Sequence, residues 1–302
     1  MTKGAARPPE IGFTAMAAGP QLERVKSASG VRPFLKWPGG KRWLIELGVN
    51  VPRLSTDYTY CEPFLGAGAL FFALRPQKAT LSDINPQLVA AFRGLKHRHA
   101  SVIAGIKALD NSRATYERVR RSKPSSTIES AIRFIYLNRT AYAGLYRENR
   151  RGEFNVPFGN YSDRLICQEQ VLANAAAALR TAELSSPSFE HQLDHLEEGD
   201  FVYLDPPYIT GHRNNGFARY NRHLFTWEQQ TSLALAAQHL ADRGVHVLAS
   251  NASHDAIARL YTGFEIVEVK RGNSIASAKR APGQVTEFVI SSYKGAVPPR
   301  KG

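Results

Sequence analysis

The run Tyr203-Leu204-Asp205-Pro206-Pro207-Tyr208 constrains the fold more than any other part of the chain. The strand formers Phe201 and Val202 lead into it. The two prolines must end that strand, because proline has no backbone donor and fixes φ. Past the strand end stand a carboxylate, a rigid backbone with carbonyls free to accept, and an aromatic ring. Those parts suit a planar, amino-bearing ring held by hydrogen bonds and stacking. A lone Asp-Pro-Pro is more often an ordinary turn, so the weight falls on the motifs that accompany it.

Upstream, Tyr60-Cys61-Glu62-Pro63-Phe64-Leu65-Gly66-Ala67-Gly68 reads as a short strand feeding a Gly-x-Gly turn, with an apolar helix start at Ala69-Leu70-Phe71-Phe72. Two glycines are fewer than the three of the dinucleotide fingerprint, but they still let backbone approach a ligand. Ala79-Thr80-Leu81-Ser82-Asp83 then reads as a second strand ending in an acid. It falls roughly 20 residues on, where a nucleoside-binding α/β fold places its ribose-hydroxyl acceptor.

Strand signals thin out after Asn85. Helical stretches at Pro86–Arg98, Thr127–Tyr136 and Cys167–Arg180 suggest an inserted helical region. Beyond Tyr208, residues 209–224 read as a long mobile loop or lid, and Thr226 with Gln229 forms a capping box for a helix stopping near Gly244. Strands are expected at Val245–Asn251, Phe264–Val269 and Val285–Tyr293, the last two around a basic loop. Alternating strands and helices on both sides of the insertion imply a mostly parallel sheet covered by helices. Residues 1–31, rich in Gly, Ala, Ser and Pro, are expected to be a disordered leader in which Met16 is a candidate second start, and residues 295–302 a basic tail.

The formal charge of +13 points to a polyanionic partner. Cys61 and Cys167 make no disulfide framework, no histidine or cysteine spacing suggests a metal, and no apolar run reaches the roughly 18 residues of a membrane span. A reducing cytoplasm is the expected location, with no membrane and no metal involved.

Six motifs occur in a fixed order. They are Phe34-Leu35-Lys36-Trp37-Pro38-Gly39-Gly40-Lys41, Glu62 to Gly68, Ser82-Asp83-Ile84-Asn85, Leu137-Asn138-Arg139, Arg151 to Gly159, and Asp205 to Tyr208. Together, over about residues 32–294, they resemble the Dam-type DNA adenine-N6 methyltransferases, in which a cofactor motif precedes the recognition region and then Asp-Pro-Pro-Tyr. The resemblance implies a Rossmann-like α/β catalytic domain at 32–88 and 189–294, with a mainly helical target-recognition domain at 89–188. It implies methyl transfer from S-adenosylmethionine to N6 of a flipped-out adenine in double-stranded DNA, within GATC, by a monomer found on the nucleoid when bound.

In that reading the catalytic group is Asp205, Pro206, Pro207 and Tyr208: the acid and the Pro206 carbonyl accept from the amine, and the ring stacks on the base. Trp37, Lys41, Glu62, Phe64, Gly66, Gly68, Asp83 and Asp205 are the cofactor contacts. Glu62 has an alternative task, orienting the Gly66 turn through backbone amides. DNA is read by a hairpin within 136–161. Tyr142 would enter the stack, Arg147 read guanine and Leu145 meet the thymine methyl, with Arg139, Asn149, Asn155, Pro157 and Tyr161 also at the DNA. One departure stands out: these enzymes commonly carry Tyr-Asn-Gly-Leu where this chain has Tyr142-Ala143-Gly144-Leu145. An N4-cytosine methyltransferase or a non-GATC site remains the alternative. An RNA or protein-glutamine methyltransferase and a catalytically silent DNA binder stand further off.

Overall fold

Helices and strands alternate along the chain. The computed structural model describes residues 19–26, 31–53, 55–149, 151–161, 165–186, 188–209, 225–272 and 284–299. The elements in order are β1 (Leu22–Arg24), α1 (Arg42–Leu47), β2 (Asn50–Pro52), β3 (Tyr60–Glu62), α2 (Ala69–Leu74) and β4 (Ala79–Ser82). Three helices come next, α3 (Pro86–Lys107), α4 (Arg113–Arg121) and α5 (Thr127–Thr140). Then come α6 (Glu169–Ala178), β5 (Ala182–Ser185), α7 (Phe189–Leu193), β6 (Phe201–Leu204), α8 (Trp227–Asp242), β7 (His246–Ala252), α9 (Asp255–Leu260), β8 (Glu265–Gly272) and β9 (Gln284–Ser291).

Seven strands form one sheet in the order β5-β4-β3-β6-β7-β9-β8. The first five are parallel, and β9 lies antiparallel between β7 and β8. The parallel strands read as near-continuous apolar runs because helices cover both faces. Tyr203 packs with Phe71 and Leu248 on one face, while its neighbours Val202 and Leu204 pack with Leu233 and Leu240 on the other. From β3 the chain winds outward through β4 to β5, and from β6 it winds the other way to β7. The reversal between β3 and β6 opens a crevice at their carboxyl ends, the place where open α/β sheets bind ligands.

Local chemistry sets the helix starts. The Asn85 side chain accepts from the Gln87 and Leu88 amides with Pro86 at the first helical position. The Thr226–Gln229 capping box forms as its sequence predicts. Helix α3 does not end at Arg98. The backbone breaks there (φ −142°) and the helix resumes to Lys107. Helices α3 and α5 approach closely because Gly94 and Gly105 carry no side chain: a Cβ on Gly94 would lie 2.5 Å from the Ala131 methyl, and one on Gly105 2.2 Å from Ile132.

Three expected boundaries move. Leu22–Arg24, inside the expected leader, pairs with Asn50–Pro52, and Val25 is buried in the main core with its amide on the Val49 carbonyl. The buried Val25 side chain and the backbone pairing with Asn50–Pro52 draw this piece into the fold. Ala182–Ser185 pairs with β4, so the sheet reclaims the end of the 89–188 span, and Leu95, Phe134 and Leu172 share the core with Phe71 and Tyr203. Among the described residues, Tyr116, Val119, Tyr136, Leu137, Ala141, Phe154 and Val156 make a separate small core beneath the hairpin. At the far end, Ala296 is buried and accepts from the Asn50 amide, so the tail begins later than Gly295. Residues 1–18, 27–30, 210–224, 273–283 and 300–302, with most of the expected leader, the lid and Lys279-Arg280, lie outside the described residues.

Candidate active site

Asp205 stands directly after β6, at the crevice. Its Oδ1 accepts from Lys41 Nζ at 2.9 Å and from Ser250 Oγ at 2.9 Å. Ser250, on β7, also hydrogen bonds the Tyr203 hydroxyl at 2.9 Å. Oδ2 of Asp205 accepts from no described residue. One carboxylate oxygen is therefore fixed from two sides, and the residue lines the crevice. Burial raises the Asp205 carboxyl above the usual aspartate range, against the pull of Lys41 and Ser250.

Lys41 is nearly buried and ties several groups together. Its ammonium donates to the Gly39 carbonyl at 2.6 Å, lies 3.9 Å from Glu287 Oε2 and stands 4.8 Å from the centroid of the Tyr208 ring. The Tyr208 hydroxyl donates to Glu287 Oε2 at 2.7 Å, and Arg271 clasps Oε1 of the same carboxylate. Pro206 is buried and Pro207 exposed, so the rigid pair passes from core to surface within two residues.

The residues expected around the cofactor converge. Trp37, Lys41, Glu62, Gly66, Gly68 and Asp205 line one cleft, partly open to solvent. Gly66 adopts φ +49°, and a Cβ there would sit 2.9 Å from the Trp37 ring, so glycine satisfies both backbone and packing. Asp83 holds this turn: one oxygen accepts from the Gly66 amide at 3.0 Å and the other from the Asn85 amide at 2.9 Å. Glu62 is buried and accepts from the Tyr60 hydroxyl at 2.8 Å, and burial pushes its carboxyl up to about 8. Phe64 joins Phe189 and Phe225 in an aromatic cluster at the edge of this region, ring centroids 5.6 and 5.8 Å away.

The hairpin is built on a firm base. Ala141 bridges Phe158 and Glu148 bridges Phe154, while the Tyr116 hydroxyl donates to the Val156 carbonyl at 2.7 Å. Tyr142 is 54 % exposed at the surface of the turn. Ala143 takes the left-handed conformation at φ +55°, where asparagine is favoured over other non-glycine residues. Its amide donates to the Tyr161 hydroxyl at 2.8 Å, so Tyr161 braces the turn. Leu145 is half-buried against the hairpin's small core. Arg147 Nε donates to Asn155 Oδ1 at 2.7 Å, which orients the guanidinium. Asn149 accepts from the Arg151 and Glu153 amides and so closes the hairpin tip, while exposed Pro157 accepts from the Tyr142 amide at 2.9 Å.

Arg139 departs from its expected place at the DNA. It is buried and donates to the Leu165 carbonyl at 2.8 Å, because the last two turns of α5, Phe134 to Thr140, are buried on all sides. Sequence reasoning passed over several partners. The Asn138 side chain exchanges bonds with the Lys36 backbone, 2.8 Å from its amide and 2.7 Å to its carbonyl, and joins the Trp37 segment to α5. Tyr146 of the hairpin stacks on Trp37 at 5.6 Å. Ser250, Arg271 and Glu287 were also unassigned. The available signal for Glu287 was its parity: it shares the inward positions of its strand with Val289 and Ser291.

Comparisons with known proteins give the family. Residues 37–275 match the family model described as D12 class N6 adenine-specific DNA methyltransferase. A type II methyltransferase of Lactococcus lactis subsp. cremoris is 34 % identical over 281 residues, 89 % of this chain and 98 % of that protein. A type II methyltransferase of Methanocaldococcus jannaschii is 32 % identical, covering 87 % of this chain and 99 % of its own length. The DNA adenine methylase of Escherichia coli K12 is 32 % identical across 89 % of this chain and 98 % of that enzyme.

Proposed function

The chain belongs to the D12 class N6 adenine-specific DNA methyltransferase family, and from that premise we propose that it methylates N6 of an adenine flipped out of duplex DNA, using S-adenosylmethionine. The observation that carries the reading is the divided role of the Asp205 carboxylate. Lys41 and Ser250 hold Oδ1, no described residue donates to Oδ2, and the residue lines the crevice. The Lys41 ammonium traces the geometry required, an N–H donor that reaches Asp205 while lying near Tyr208.

S-adenosylmethionine supplies an electrophilic methyl carbon. The chain's own task is alignment and exclusion of water. Trp37, Glu62, Gly66, Gly68 and Asp83 would hold the donor, the glycines through backbone approach. The exocyclic amine of adenine is a poor nucleophile because its lone pair is delocalised into the ring. Hydrogen bonds from its N–H groups to Asp205 and the Pro206 carbonyl favour the pyramidal form in which that lone pair is available. Taking the base out of the stack costs a few kcal/mol, offset by contacts to the extruded base and the hairpin.

We assign sequence reading to the hairpin, with Tyr142 entering the stack, Arg147 reading guanine and Leu145 meeting a thymine methyl, and GATC as the site. Oriented arginine is the commonest reader of guanine edges. DNA-bound enzyme in the cytoplasm fits the basic charge and the absence of any described helix long and apolar enough to cross a membrane. Methylation-aware sequencing of DNA modified by the protein tests the site. GATC is expected, and a different consensus overturns that assignment.

A further inference from the structure

Glu287 is a buried carboxylate in a strand that needs none for its fold. It is 1 % exposed, and the antiparallel entry of β9 between β7 and β8 brings it level with Ala252, at the crevice end of the sheet. Arg271 lies diagonally across the β8–β9 pair, since its direct partner is Val285, two residues before Glu287. On Glu287, Oε1 takes the guanidinium and Oε2 takes the Tyr208 hydroxyl at 2.7 Å, with the Lys41 ammonium 3.9 Å away. A charge removed from water is a poor source of stability even when paired, so an arrangement this specific points to placement of a group. The group it touches and the chemistry needs is the Tyr208 ring. A phenol pinned at its hydroxyl loses its rotational freedom and presents one ring face beside Asp205.

We propose that Glu287, clasped by Arg271, is a positioning residue for methyl transfer, fixing the Tyr208 ring against which the target base stacks. Arg271 fixes the carboxylate, the carboxylate fixes the phenol, and Lys41 bridges this unit to Asp205. Methyl transfer therefore depends on a residue in the last strand, about eighty positions after the Asp-Pro-Pro-Tyr run. This rests on the adenine-methylation reading of the same site.

The test uses the full chain with tritiated S-adenosylmethionine and unmethylated bacterial duplex DNA. Tyr208→Phe removes only the hydroxyl that Glu287 holds, and Glu287→Gln removes the charge while keeping the shape. Each is expected to lower kcat about tenfold with KM for DNA and cofactor within about twofold, and the double variant is expected to be no slower than the slower single one. If Glu287→Gln does not fold, Tyr208→Phe decides alone. An active wild type with Tyr208→Phe equally fast, or singles whose losses multiply in the double variant, overturns the positioning role. A wild type that transfers no label overturns the functional reading, and the inference with it.

Discussion

The crevice and the hairpin do their work under opposite physical conditions. At the crevice, Asp205, Lys41, Ser250, Tyr208, Glu287 and Arg271 form one partly buried network in which every member has at least one charged or polar partner within the site. In the hairpin, the side chains expected to meet DNA stand on a small core of their own, and the turn carrying exposed Tyr142 is closed by local bonds between residues 142 and 161. Chemistry needs atoms fixed to fractions of an ångström, which a buried network provides. Reading a surface as variable as DNA needs side chains that reach out from a base that does not move.

Variants should divide along that line. Asp205→Ala is expected to have the largest effect, lowering methyl transfer by at least ~10³-fold with DNA affinity within a few fold. Filter binding and methyl incorporation measured together check it, and substantial residual activity would remove Asp205 from its role. Glu62→Gln should change stability more than any hairpin substitution. A carboxyl raised to about 8 in the fold but ordinary in the unfolded chain binds its proton more tightly when folded. Stability therefore falls as pH rises from about 4.5 to 8, and the glutamine variant should gain on the order of a few kcal/mol at pH 8 with a flatter profile in thermal melts.

Arg147→Ala should loosen sequence choice by ~10–100-fold, the scale of one bidentate base contact, with little change in melting temperature. Equal weakening on every sequence would make Arg147 a phosphate contact and blur the division. For pH, Asp205 is raised, so kcat should fall on the acid side at a pH above the ordinary aspartate value of ~3.9. Lys41 pulls that carboxyl down, and Lys41→Met should move the acid limb higher still. The smallest effect belongs to Ala143→Asn, which relieves a left-handed alanine. It should stabilise the protein by ~0.5–1 kcal/mol in denaturant melts and leave kcat within about twofold.

Most of the site was legible because its residues lie in short runs whose order is unusual. The strand ends at Glu62, Asp83 and Asp205 and the Gly66 turn could each be placed from local signals, and the structure brings them to one crevice. The hidden part depends on partners far apart in the chain. Glu287 and Tyr208 are joined by the antiparallel turn-back of β9: its strand was expected, but not its insertion beside β7. Asn138 was visible within its motif, but its bond across 102 positions to the Lys36 backbone was not. Arg139 was misplaced because basic residues near aromatics read as a DNA surface, while the last two turns of α5 are buried on all sides. The leader was misread for the opposite reason: a low-complexity composition concealed one core residue, Val25.

The most direct measurement is nucleoside analysis of unmethylated bacterial DNA treated with labelled S-adenosylmethionine and either the native protein or Asp205→Ala. Label confined to N6-methyladenine, and lost with Asp205→Ala, is the expected result. Label in N4-methylcytosine, or N6-methyladenine formed equally well without the Asp205 carboxylate, would contradict it.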